Sequence, residues 1–145
     1  TWLPQVLAQF QESTSKMQQS LEIDLPANLP ILVSHAFSVE RIITELVTNA
    51  CKYTPANEQI RVALSASSTH VELSVCNSGI EIPQSELERI FDKFYRIPSS
   101  DRWKHRGTGL GLALVKKLVQ HIGGKIQAEA YAGKTCFTVV LPINE

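Results

Sequence analysis

Arg106-Gly107-Thr108-Gly109-Leu110-Gly111-Leu112 places three glycines at alternate positions directly ahead of an apolar run. Glycine so spaced cannot be a helix interior or an ordinary strand, because it loses too much chain entropy there and offers nothing to pack. The stretch reads as a loop whose bare backbone approaches something closely. Downstream, Leu110, Leu114, Leu118 and Ile122 recur at i+4 with Val115 and Val119 beside them, while Lys116, Lys117 and Gln120 lie opposite. That spacing predicts a helix with one buried stripe, stopped by Gly123-Gly124. A glycine loop feeding a helix N-terminus offers unpaired N–H groups and the positive end of the dipole, which suits phosphate. A tight turn packed on a neighbour explains the same residues, so this stretch alone leaves both readings open.

Working outward, the segment Ala36–Tyr53 is the most regular. Val39, Ile42, Ile43, Leu46, Val47 and Ala50 follow the i, i+3, i+4, i+7 pattern of an amphipathic helix, which Pro55 stops. Glu45, Asn49 and Lys52 fall within roughly 60° of one another on the far side of it. Solvent exposure would place polar residues there without specially selecting a carboxylate, an amide and an amine.

Around these two helices the pattern is mixed. A helix is predicted over Pro4–Met17, and Leu21, Ile23 and Leu25 alternate as a half-buried strand. Pro26 and Pro30 bracket a turn, and Ile31-Leu32-Val33 is a short buried strand or a helix lead-in. Ile60, Val62 and Leu64, then Val71, Leu73 and Val75, read as a hairpin delivering Asn77-Ser78-Gly79 at its end. Ser85-x-x-Glu88 after Pro83 reads as a capping box opening a short helix with Leu87, Ile90 and Phe91. Arg102 to Arg106 form a basic run containing Trp103, Lys104 and His105. Ile126, Ala128 and Ala130 with Phe137, Val139 and Leu141 read as a closing hairpin turning at Gly133. Local hairpins outnumber crossovers, so the expected class is α+β: a mixed, mostly antiparallel sheet with helices layered on one face. A doubly wound dinucleotide fold is excluded, because the glycine loop does not follow a strand within a βαβ unit.

Composition narrows the function classes. The 145 residues, 43% hydrophobic and 19% charged, suit one domain with a real core. Fourteen basic and fourteen acidic residues cancel, which argues against a general nucleic-acid or membrane-surface binder. No apolar run approaches a membrane span and no signal peptide opens the chain. Cys51, Cys76 and Cys136 are scattered and odd in number, suggesting neither a zinc site nor a disulfide framework. They read as small buried apolar residues in a reducing, cytoplasmic setting. The chain opens on Thr1 inside a helical pattern, and is expected to be a piece of a longer protein.

Four stretches need one explanation: Glu45-x-x-x-Asn49-x-x-Lys52-Tyr53, Asn77-Ser78-Gly79, Phe91-Asp92-Lys93-Phe94 and Gly107–Leu112. In this order and spacing they resemble the ATP-binding catalytic domain of bacterial two-component sensor histidine kinases. The wider group includes type II topoisomerases, mismatch-repair ATPases and heat-shock ATPase chaperones. The resemblance runs from about residue 20 to Pro142 and implies a two-layer α/β sandwich, the Bergerat ATP-binding fold, filling residues 1–145 as a single domain. It implies that ATP and Mg²⁺ are bound and that the γ-phosphoryl group passes to a histidine of a dimerisation domain upstream. It assigns Asn49 as the metal ligand, Glu45 to a metal-bound water or the incoming group, Lys52 to phosphate and Tyr53 to the adenine. Asn77, Gly79, Ile82 and Phe94 would border the nucleotide. Gly107, Thr108, Gly109, Leu110, Gly111 and Leu112 would meet the phosphates. Lys104 and Arg106 would lie in a mobile lid, with Arg102 less clearly assigned and Trp103 either a lid contact or a docking residue.

The family's first glycine box usually reads Asp-x-Gly-x-Gly, but here it is Asn77-Ser78-Gly79-Ile80-Glu81. A neutral acceptor is weaker than an ionised one, and Glu81 closes off one close backbone approach. ATP binding with reduced affinity or looser base selectivity is therefore expected. His35, His70, His105 and His121 are followed by Ala, Val, Arg and Ile, so none resembles a phosphoacceptor site. The acceptor is expected upstream of Thr1, the fragment is expected to be monomeric and its parent a homodimer. The expected partners are that upstream domain and a response regulator, with no nucleic acid. Two alternatives share the core: an anti-sigma-type serine kinase, and a degenerate module signalling by nucleotide-gated contact. An ATPase chaperone or topoisomerase is disfavoured, because a transducer domain is not expected to follow.

Overall fold

The computed structural model describes residues 3–25, 36–92 and 111–143. In chain order these form α1 (Leu3–Lys16), β1 (Ser20–Asp24), α2 (Ala36–Tyr53), β2 (Gln59–Ala66), β3 (His70–Ser78), α3 (Gly111–Ile122), β4 (Lys125–Tyr131) and β5 (Lys134–Pro142), with short 3₁₀ turns at Gln84–Glu86 and Arg89–Phe91. The strands make one 5-stranded sheet in the order β1-β2-β3-β5-β4. Only β1 and β2 run parallel among the described strands, and the other pairings are antiparallel. The α+β class and the mostly antiparallel sheet are therefore as the sequence pattern implies. Ile31-Leu32-Val33 lies outside the described residues.

One face of the sheet carries the core. Val71, Leu73, Val75 and Asn77 alternate inward on β3, opposite Leu141, Val139, Phe137 and Thr135 on β5. α2 lays Val39, Ile42, Ile43, Leu46, Val47 and Ala50 against this surface, all of them buried, as its spacing requires. On α3 the buried residues are Val115, Val119 and Ile122. Leu118 is only partly buried, so the apolar stripe is turned toward the valines relative to its sequence reading. Phe91 meets Phe137 edge-on with ring centroids 6.0 Å apart, a favourable aromatic geometry.

Two helix ends explain how the chain turns into the sheet. α3 closes with Gly123 N–H donating to Gln120 O (3.0 Å) and Gly124 N–H to Val119 O (2.9 Å), the paired bonds of a Schellman motif. α1 ends the same way around Gln18, at φ 59°. The next residue, Gln19, is buried, and its Nε2 donates to Cys51 O (2.9 Å) and Thr54 O (2.6 Å) at the C-terminus of α2. One amide thus satisfies two carbonyls that the helix leaves unpaired and ties the start of β1 to α2.

Two expectations are corrected. Ser85 caps no helix. The chain makes two 3₁₀ turns instead, the first entered through Pro83 without a side-chain cap. Three residues per turn are too few to develop the box that Ser85 and Glu88 suggest. The cysteines are not all free: Cys76 and Cys136 form a disulfide across β3 and β5, 60 residues apart in sequence. Their spacing carries no disulfide signature, because only the strand register sets them opposite each other. Cys51 remains free, and burial pushes its thiol pKa up. Thiol titration of the oxidised protein in denaturant is expected to count one thiol per chain. In the folded protein that thiol is expected to react slowly at pH 8 and faster as pH rises beyond the ordinary thiol range. Three reactive thiols would remove the disulfide.

Candidate functional site

The residues singled out for chemistry gather along α2. Eight residues at 1.5 Å each separate Glu45 from Tyr53, about 12 Å along the helix axis. Glu45 and Asn49 are half-buried one turn apart, Lys52 is exposed and Tyr53 is half-buried at the helix end. The opposite stripe of α2 is buried in the core between the sheet and the neighbouring helices, which fixes the rotation of the helix and so the direction of this strip.

At the Glu45 end, α3 begins. A methyl group on Gly111 would lie 2.9 Å from Glu45 Oε1, so the last glycine of the loop faces the carboxylate of α2 directly. The other carboxylate oxygen, Oε2, accepts a bond from Arg41 Nε at 2.8 Å. Leu112, one residue on, is partly buried against the core. Two stretches 66 positions apart, centred on Glu45 and Gly111, therefore form one wall.

At the other end, just past Tyr53, the end of β3 arrives. Asn77 is buried on the inward face, directly across from Thr135 of β5. Gly79 has φ +85°, and a Cβ there would come within 2.6 Å of Glu58 Cγ and 3.0 Å of Pro55 Cδ. Its bare backbone is thus needed by the α2–β2 connection. Ser78 Oγ donates to Glu58 Oε1 (2.8 Å) and accepts from Gln59 N–H (2.8 Å), which locks that packing.

Glu81, where the family pattern has glycine, carries its carboxylate to the β4–β5 turn. Its Oε1 accepts the Gly133 N–H at 2.9 Å, bracing the β4–β5 turn. The side chain is exposed, so its direction is onto the hairpin. Thr135 was not singled out by sequence. It is buried, donates through Oγ1 to Ile80 O (3.0 Å) and accepts from Ile82 N–H (3.2 Å). Those two bonds shape the loop after Asn77 and place the half-buried Ile82 against the core. A polar residue heading the inward stripe Thr135, Phe137, Val139, Leu141 was the available signal.

Phe94, Arg102, Trp103, Lys104, Arg106, Gly107, Thr108, Gly109 and Leu110 lie outside the described residues. Among the described residues no cluster of three or more His, Cys, Asp or Glu could hold a metal alone. The oxygen donors that do adjoin are the Glu45 carboxylate and the Asn49 amide. One or two protein oxygens are what Mg²⁺ takes when phosphates and waters complete its shell. Gly111, the first described residue of α3, brings bare backbone beside the Glu45 carboxylate, room that a side chain would fill. The donor set fits a hard cation and a phosphate chain, with the buried Asn77 at the far end. No helix among the described residues is long and apolar enough to cross a membrane.

The sensor histidine kinase WalK of Bacillus subtilis is 36% identical over 110 residues, covering 74% of this chain and 18% of WalK. Among solved structures, full-length ShkA in complex with AMPPNP matches 97% of this chain and 29% of that one, with a TM-score of 0.82 and 25% identity. Histidine kinase ThkA in complex with the response regulator protein TrrA matches 98% of this chain and 39% of that one, with a TM-score of 0.80 and 26% identity. The chain thus spans between about a fifth and two fifths of these proteins. The model of the histidine kinase-, DNA gyrase B- and HSP90-like ATPases matches residues 35–145, which hold α2, its strip of Glu45, Asn49 and Lys52, and the glycine loop. The chain belongs to the histidine kinase-, DNA gyrase B- and HSP90-like ATPase family.

Proposed function

We propose that this chain is the ATP-binding catalytic domain of a sensor histidine kinase, which binds MgATP and passes the γ-phosphoryl group to a histidine on a helical dimerisation domain of the same protein. The observation that carries the reading is the wall formed by Glu45 and Asn49 of α2 with Gly111 at the start of α3. Asn49 would supply an oxygen to Mg²⁺, and Lys52 a point charge to phosphate. The residues Lys104, Arg106 and Gly107 to Leu110 would cover the phosphates. Tyr53, Asn77, Gly79, Ile82 and Phe94 would border the base. Bound Mg²⁺ neutralises phosphate charge, and the rest of the work is positioning and charge complementarity. Glu45 would hold a metal-bound water, or polarise the incoming imidazole and take its proton.

ShkA with AMPPNP supports the nucleotide, and ThkA with TrrA supports a response regulator as the next partner. The parent is proposed to act as a homodimer in the cytoplasm. Thiol pools there keep cysteines reduced, so Cys76 and Cys136 would stand as adjacent thiols.

The test is transfer in trans. The chain, radiolabelled MgATP and the parent's dimerisation domain are expected to give an acid-labile, base-stable phosphohistidine. The chain alone is expected to give no label. Phosphoserine on an added protein would favour the anti-sigma-type kinase, and nucleotide binding without any transfer would favour the interaction module. In the same system GTP is expected to compete less well than ATP, with Asn77→Ala narrowing the gap by about tenfold through loss of one base hydrogen bond. Equal competition by GTP against the unmodified chain would remove Asn77 from base recognition.

A further inference from the structure

We infer that Arg41 is a positioning residue for Glu45, and that Gly111 is bare so that the carboxylate can lie where Arg41 holds it. The inference rests on the kinase reading of Glu45 given above. Arg41 stands one turn before Glu45 on α2, and its Nε meets Glu45 Oε2 at 2.8 Å. On the other side, any Cβ at residue 111 would come within 2.9 Å of Glu45 Oε1. One oxygen is thus held by a charge-assisted hydrogen bond, and the other occupies room that a side chain at residue 111 would crowd. A glutamate side chain has three rotatable bonds, and the bond to Arg41 favours one setting of them.

Stability does not explain the pair. The Arg41 side chain is 58% exposed and Glu45 22%, and exposed ion pairs contribute little to folding. The order is also the less favourable one on a helix, where a carboxylate N-terminal to the cation does better than the reverse. What the pair does is orient an oxygen toward the start of α3, where the phosphates are proposed to lie. A change of direction at such a group alters the chemical step more than nucleotide affinity.

Transfer in trans from MgATP to the parent's dimerisation domain tests this with four variants. Glu45→Gln is expected to lower kcat by about a hundredfold, as for loss of a general base. Arg41→Gln is expected to lower kcat about tenfold with KM for MgATP within about twofold and the unfolding midpoint within about 2 °C. Arg41→Lys, which can still reach the carboxylate, is expected to recover most of that loss. The double variant Arg41→Gln/Glu45→Gln is expected to match Glu45→Gln alone, because Arg41 acts only through the carboxylate. Normal transfer by Arg41→Gln, a loss confined to KM, or losses that multiply in the double variant would each overturn the positioning role while leaving Glu45 standing. Normal transfer by Glu45→Gln would overturn the reading of Glu45 and this inference with it.

Discussion

Asn49→Ala is expected to lower phosphoryl transfer by at least about a hundredfold while the domain stays folded. The side chain lies half-buried on the polar strip of α2, one turn beyond Glu45 and outside the apolar stripe that holds the helix to the sheet. Removing it opens no core cavity, so the cost in stability is expected to stay within about 1 kcal/mol. The loss falls on the chemistry: the amide oxygen is the proposed protein ligand to Mg²⁺, and misplaced metal leaves the triphosphate poorly aligned and its charge poorly neutralised. Asn49→Asp keeps an oxygen but adds a negative charge beside phosphate, so an intermediate loss of about tenfold is expected. Transfer rates and thermal melts for both variants check this. Full activity in Asn49→Ala would take Asn49 out of the metal site.

Gly124→Ala is expected to destabilise the fold by about 3 kcal/mol, through overpacking against fixed backbone. A methyl there would meet Val140 O at 2.5 Å, Leu141 Cδ2 at 2.8 Å and Val119 Cγ1 at 3.3 Å. The first of these is a carbonyl of β5, whose residue Val140 pairs with Lys125 next door. It cannot swing aside as a side chain would. Relief must come from moving the end of α3 off the sheet, which weakens burial of Val119 and Ile122. For a domain of this size the midpoint is expected to fall by about 10 °C. Gly111→Ala makes the contrast. Its close neighbour is the far end of the Glu45 side chain, which can turn, so stability is expected to change by less than about 1 kcal/mol. Equal destabilisation by the two alanines, in a denaturant titration, would contradict this account of the packing.

Elements whose apolar residues follow a strict period were legible without coordinates. α2 ends at Tyr53 because Pro55 forbids continuation, and its buried stripe runs unbroken from Val39 to Ala50. The two hairpins followed from alternation in the same way. Features set by register rather than by neighbours in sequence were not legible. Cys76 meets Cys136, and Asn77 meets Thr135, only because β3 and β5 pair with those residues opposed. The turn of Glu81 toward Gly133 needs the β4–β5 hairpin to be in place before its direction can be known. Arg41 was missed although the i, i+4 rule would have paired it with Glu45. The polar strip drew attention to Glu45, Asn49 and Lys52, and Arg41 was not singled out.

The candidate site divides along the same line. Glu45, Asn49 and Lys52 share one strip of a helix, so periodicity alone placed them together, and the family resemblance added Tyr53. Gly79 has a packing duty that sequence did not disclose, since its missing side chain makes room for Glu58 and Pro55. Gly111 is likewise bare beside a carboxylate of its own chain, in a stretch first read as an approach to phosphate.

The most direct measurement is a calorimetric titration of this chain with a non-hydrolysable ATP analogue, with and without Mg²⁺. Saturable one-to-one binding that tightens with Mg²⁺, and loses that tightening in Asn49→Ala, is the expected result. Absence of binding with Mg²⁺ present, or binding indifferent to both the metal and Asn49, would contradict the nucleotide site on which the proposed function rests.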